Sequence, residues 1–139
     1  MDINNLKAVI IVDAELPSGV ITNTAAILGM SLGKKYPEIV GRNLINKDKE
    51  IHEGITIIGL PILSADKEKL KSIRDNAKQF ENQIFEVNVL NLTRSTRSYE
   101  EYAEKLEQVA NQDLEYQGIL LYGEKKAINK LTGNLSLFK

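Results

Sequence analysis

Lys7 to Val12 reads KAVIIV, five consecutive apolar residues of which four are β-branched. A strand without polar alternation has to be covered on both faces. A chain built around this one therefore needs a layer on either side of its sheet. Asp13 and the turn AELPSG follow, and Pro17 suits the first turn of a helix because the N–H it lacks has no helical partner there. The helix expected from about Pro17 to Leu32 is apolar on most sides, with Thr22, Asn23 and Thr24 as its polar cluster. Gly33, Lys34 and Lys35 end it. That composition predicts a central, buried helix. Ala25, Gly29 and Gly33 recur every four residues, a flat stripe suited to a close backbone. Without such a neighbour Gly29 costs about 1 kcal/mol.

Further along, NLINKDKEIHEG reads as a short exposed hairpin around Lys47 and Asp48, although Tyr36 to Glu53 does not decide between strand, loop and short helix. ITIIGLPIL reads as a second buried strand broken near Pro61. A helix from about Asp66 to Phe80 gathers Leu70, Ile73, Ala77 and Phe80 on one face, as an outer helix does. Phe85 to Leu92 is a third strand running into the polar loop TRSTR. Ser98 with Glu101 forms a capping box, opening a helix whose Tyr99, Tyr102, Leu106 and Val109 share a core-facing side. Gln117 to Tyr122 is a fourth strand, GEKKAINKL a short terminal helix, and LTGNLSLFK closes the chain with Leu135 and Leu137 alternating. Strands alternating with helices over 139 residues give a single domain, 1–139, of α/β class and three layers.

Composition removes whole classes of chemistry. No cysteine and one histidine, His52, leave no disulfide framework, thiolate or multi-histidine metal site, and no thiol nucleophile. The carboxylates match no calcium loop, so neither metal nor cofactor is expected. Eighteen basic against nineteen acidic residues give a net charge of −1, without the basic field that drives nonspecific nucleic-acid binding. No apolar run reaches the ~18 residues of a membrane span. MDINNLKAVIIV shows no cationic leader before the first strand. The expectation is a cytoplasmic protein with no membrane partner.

In open α/β sheets ligands sit beyond the carboxyl ends of the strands. If the first, third and fourth strands run parallel, three loops share that edge: Asp13 to Gly19, Thr93 to Arg97, and Gly123 to Lys126. They bring one carboxylate, arginines, lysines, hydroxyls and a helix N-terminus together, a set suited to phosphate or carboxylate. Asp13 is the best catalytic candidate, as a general base or an orienting carboxylate; equally, it can accept N–H bonds from the turn that follows. Ser18, Gly19 and Asn23 belong to the first helix and its start. Arg94, Ser95 and Arg97 form a loop suited to a phosphate, or a charge complement to Glu100 and Glu101. Lys125, Lys126, Asn129 and Lys130 reach the same edge if the terminal helix lies across it, and are solvated surface residues otherwise.

Three stretches carry a family resemblance: KAVIIVDAELPSGVITNTAAILGMSLG (Lys7 to Gly33), IHEGITIIGLPIL, and GILLYGEKKAINKLTGNLSLF (Gly118 to Phe138). Over nearly the whole chain they resemble an uncharacterised bacterial family, domain of unknown function two thousand. That family in turn resembles type 2 peptidyl-tRNA hydrolases, through the strand-turn-helix start and a lysine-x-threonine-glycine-x-leucine pattern, here Lys130 to Leu135. The resemblance implies a three-layer αβα sandwich with a mixed, mostly parallel four-stranded sheet, and a homodimer. It also exposes departures. Ser18, Gly19 and Val20 stand where the hydrolases carry a lysine-glycine-lysine run, Thr24 at their glutamine and Ile27 at their histidine. LTRSTR replaces their acidic-glycine-arginine-threonine loop. These departures argue against tRNA as a partner.

Three readings stand at this point. The first is a family member of unknown function with a type 2 peptidyl-tRNA hydrolase-like fold, binding a small anionic or nucleotide-derived ligand at the strand edge. The second is an active peptidyl-tRNA or aminoacyl-ester hydrolase using Asp13. The third is a noncatalytic dimeric interaction module.

Overall fold

The computed structural model describes residues 2–139. In chain order the main elements are β1 (Leu6–Asp13), α1 (Ser18–Lys35), β2 (Leu44–Ile45), β3 (Ile51–His52), β4 (Ile62–Ala65), α2 (Lys67–Ala77), β5 (Ile84–Leu90), α3 (Tyr99–Leu106), β6 (Tyr116–Glu124) and α4 (Lys125–Thr132). Four strands form one sheet in the order β4–β1–β6–β5, and β2 and β3 form a separate ribbon.

β1 is the strand that KAVIIV demands. Ala8, Ile10 and Val12 face α1, while Val9 and Ile11 face the side of α2 and α4, and all five are buried. Burying each large aliphatic side chain contributes about 1.5–3 kcal/mol, so β1 and the matching Ile119, Leu120 and Leu121 of β6 hold the two cores to one sheet. The result is the expected three-layer arrangement, with α1 on one face and α2 and α4 on the other.

The sheet is mixed, but it is not mostly parallel. β1 pairs in parallel with β4 and antiparallel with β6, and β5 also pairs antiparallel with β6. The cause lies in the connection after β5. Asn91 N donates to Glu115 O at 2.9 Å, which stitches the end of β5 to the start of β6. The chain therefore turns back beside β5 instead of crossing the sheet.

α1 differs from its expected burial. Ile21, Thr24, Leu28 and Leu32 are buried, yet Met30 is 76% exposed and Ala26 and Ile27 also face solvent. One side of an apolar helix is left uncovered because no element among the described residues packs outside it. The Ala25–Gly29–Gly33 stripe meets no close backbone either, since a Cβ at Gly29 or Gly33 would have nothing within 4 Å. The expected second buried strand is shorter than ITIIGLPIL. β4 begins only after Pro61, and Ile55 and Ile57 are exposed.

Those two isoleucines belong to an antiparallel ribbon that leaves the sheet near Ile39. It is held by Ile57 N to Ile39 O and Gly41 N to Ile55 O, both 2.8 Å, and ends in the β2–β3 hairpin around Lys47 and Asp48. At the other margin the C-terminal segment runs along β4. Ser64 N donates to Ser136 O and Phe138 N to Ile62 O, each at 2.8 Å. No helix among the described residues is long and apolar enough to cross a membrane.

Candidate functional site

Because β6 runs against β1, the loops of the proposed edge separate into two groups. Asp13 to Gly19 and Thr93 to Arg97 lie beyond the carboxyl ends of β1 and β5. Gly123 is paired with Lys7, at the opposite end of the sheet. Lys125, Lys126, Asn129 and Lys130 therefore stand away from the other candidates. There Lys7 Nζ donates to Asn129 Oδ1 at 2.7 Å. The basic character expected at one edge is split between two.

Asp13 is 7% exposed and its Oδ1 accepts from Glu15 N at 3.0 Å. Its carboxylate thus serves the turn that follows β1, the structural one of its two expected roles. Ser18 and Gly19 open α1 in solvent, where Pro17 supplies no side-chain cap, and Asn23 is exposed. The residue of that polar cluster that turns inward is its neighbour Thr24, which is fully buried.

Thr24 leads to the group that sequence reasoning missed. Gln117 Nε2 donates to Thr24 Oγ1 at 3.0 Å, and Gln117 Oε1 accepts from Arg94 Nε at 2.7 Å. One buried carboxamide therefore links α1 to the loop after β5. Gln117 reaches this position through a β-bulge. Val89 lies opposite Gly118 but Leu90 lies opposite Tyr116, which leaves Gln117 as the extra residue of β6. Strict alternation would place Gln117 with Ile119 and Leu121, on the side of α2. The bulge turns it towards α1 beside Gly118, the re-aiming for which such irregularities are known.

Arg94 is exposed beyond its Nε, and among the described residues neither Arg94 nor Arg97 forms an ion pair. The charge complement to Glu100 and Glu101 is not made. Glu101 instead accepts from Arg97 N at 3.2 Å, while Ser98 Oγ accepts from Glu101 N at 3.1 Å, the expected capping box with its return bond moved one residue upstream. Ser95 and Thr96 hydroxyls both bond back to Leu92 O and shape the loop.

Beside this loop a groove of about 470 Å³ opens between α1, β5 and α3. Tyr99 lines it and is 84% exposed, which corrects its expected place in the core. Tyr102 is half-buried, and its hydroxyl accepts from Leu90 N at 3.4 Å. Burial pushes the Tyr102 phenol above its ordinary value, against the opposing Leu90 bond, so the group stays neutral at physiological pH.

The arrangement offers two guanidinium groups, one of them fixed from behind, and a mostly apolar groove at their side. The family described as "Protein of unknown function (DUF2000)" matches residues 6–139. No curated protein matches the chain. Among solved structures, a protein of unknown function from Agrobacterium tumefaciens strain C58, Atu0240, is similar with a TM-score of 0.89 and 16% identity. The match covers 97% of this chain and 98% of that one, a likeness of fold. With the family profile spanning all but the first five residues, the chain belongs to the DUF2000 family.

Proposed function

We propose that this protein binds a small anionic ligand, a carboxylate or phosphate, at the loop carrying Arg94 and Arg97. The observation behind this reading is the buried Thr24–Gln117–Arg94 relay. A polar chain in a core has to be fully partnered to be tolerated, and this one fixes the Nε of an arginine whose outer nitrogens make no ion pair. An arginine fixed in this way presents a planar donor set without the entropy loss of ordering it at each binding event.

The scaffold reads as type 2 peptidyl-tRNA hydrolase-like, on the strand-turn-helix start and the Lys130 to Leu135 segment. Hydrolysis is the weaker reading, because Ser18 and Val20 stand at the lysine positions of those enzymes, Ile27 stands at their histidine, and Asp13 is engaged by its own turn. Titration calorimetry with orthophosphate and with acetate tests the binding reading. The expected result is saturable binding that Arg94→Ala weakens by about tenfold or more, the scale of a charge-assisted hydrogen bond. No heat from either anion, or equal binding by Arg94→Ala, overturns it.

A homodimer is the second reading, supported by the ribbon. Leu44, Ile45, Ile51, Ile55 and Ile57 are all exposed there, while Arg42, Lys47 and Lys49 offset Asp48, Glu50 and Glu53. An apolar arm without net charge suits a second copy of this near-neutral chain better than a charged surface. Light scattering should give twice the chain mass, reduced to one by Ile51→Lys with Ile55→Lys. A wild-type monomer at high concentration removes this reading.

A further inference from the structure

Of the sheet's two margins, β4 is closed by the chain's own C-terminal segment, through Ser136 and Phe138. β5 is not closed. Antiparallel ladders alternate bonded and non-bonded pairs, and the bond from Glu124 N to Gln83 O fixes which is which. With Phe85 opposite Tyr122 and Val87 opposite Leu120, the odd-numbered residues of β5 exchange bonds with β6. The backbone N–H and C=O groups of Glu86 and Asn88 therefore point outward. Among the described residues no side chain and no other element bonds to them. The next outward N–H, that of Leu90, meets the Tyr102 hydroxyl. An open edge of this kind is a template for an added strand.

The groove runs along this same edge. Ile27 of α1, Val87 and Val89 of β5, and Tyr99 and Tyr102 of α3 give it apolar walls. Arg97 lines it in the loop that follows the end of β5. In strand addition the main chain supplies affinity through the ladder, and alternate side chains enter the pockets beside it. A cation at one end adds a requirement for negative charge there.

We propose that the β5 edge and its groove bind an extended peptide ending in a free carboxylate, added parallel to β5 with the carboxylate on Arg97. The direction follows from the placement of Arg97 beyond the carboxyl end of β5. The parity of the ladder makes the Glu86 and Asn88 backbones the docking points, and every second peptide side chain lies against Val87, Val89 and Ile27. Charge complementarity selects this occupant. A second copy's β5 would bring mid-strand Glu86, already engaged by Arg74 3.0 Å away, and no terminal carboxylate. The chain's own C-terminal segment is committed to β4.

This inference rests on the anion-binding reading of the Arg94–Arg97 loop and names the ligand class for it. The probe is the N-acetylated pentapeptide Ser-Val-Thr-Val-Leu, as the free acid and as the amide, titrated by calorimetry alongside acetate and orthophosphate. The free acid is expected to bind about tenfold or more tighter than the amide, with Arg97→Ala reducing it to the level of the amide. Hydrogen exchange on the unmodified protein gives the second readout. The free acid should slow the Glu86 and Asn88 amides, whereas those of Phe85, Val87 and Val89 are protected with or without it.

Equal affinity of acid and amide, or unchanged exchange at Glu86 and Asn88, overturns the proposal. If acetate and orthophosphate bind through Arg94 while the peptide acid binds no better than acetate, the peptide inference falls and the anion reading stands. If no anion binds at all, both fall.

Discussion

Gly118 of β6 lies directly under Thr24 of α1: a Cβ on the glycine would stand 2.7 Å from Thr24 Cγ2 and 3.1 Å from Ile11 O. The approach brings the helix close enough for Thr24 to meet Gln117, the residue turned by the bulge. Gly118→Ala must push α1 outward, because the Ile11 carbonyl belongs to the central strand and cannot yield. Overpacking of this kind costs about 1–3 kcal/mol, and a lower urea midpoint with unchanged slope is the expected measurement.

Thr24→Val keeps shape and volume but removes the acceptor of the Gln117 carboxamide. A buried donor left without a partner costs about 1–3 kcal/mol. Urea unfolding should show that loss, and phosphate titration should show weaker binding as Arg94 loses its backing. Thr24→Ser restores the hydroxyl and is expected to recover most of the binding.

Gly29 sits in the middle of α1 with open space where a side chain would be. Gly29→Ala therefore stabilises the protein by about 0.5–1 kcal/mol, through helix propensity alone. Gly33→Ala, in the last turn, should give less. Thermal unfolding of the two variants checks both the sign and the order.

Glu86 is held in its folded environment with its carboxyl above the ordinary value of 4.5, because burial outweighs the bond from Asn88 and the charges of Arg74 and Lys78. Between the unfolded and folded values, the folded state retains a proton that the unfolded chain has released. Stability contributed by this group is present below the unfolded value and falls as pH rises from there through the folded value. Urea midpoints measured from pH 4 to 7 should show this decline. Glu86→Gln should remove it from the profile, at a general cost from leaving Arg74 unpaired.

Among the described residues the ribbon packs on the body through Ile39 and Ile58, and two-stranded ribbons are marginal alone. Amides of Leu44 to His52 should exchange fastest among the strands, well ahead of those of β1 and β6. Comparable protection in the hairpin and in β1 would show that the ribbon is covered in solution.

How much of this was legible depended on distance along the chain. The Ser98–Glu101 capping box, the start of α2 near Asp66 and the doubly buried β1 are local patterns, and the structure has each of them. The direction of β6 is set by the Asn91–Glu115 stitch, between residues whose pairing no local pattern marks. For that reason Lys125 to Lys130 were expected at the wrong end of the sheet. Gln117 was hidden for a related reason. In YQGIL it reads as one step of an alternation, and only the ladder with β5 shows it to be the extra residue. Tyr99 fits a buried face by periodicity and Met30 lies in a helix apolar on most sides, but neither pattern states whether anything covers the residue.

The position of β1 between β4 and β6 also governs how the molecule must assemble. Lys7 and Asn129, bonded across the end of the sheet, are 122 positions apart in sequence, and Leu6 to Val12 of the central strand all pair with β6, from Leu6 with Glu124 to Val12 with Gly118. Such chains close their largest loops before the ladder rewards them, and they fold slowly for their size. Until β6 arrives, KAVIIV is an exposed β-prone apolar segment of the sort that pairs with other chains. A protein arranged in this way depends on its environment during synthesis more than its finished, well-covered core would indicate.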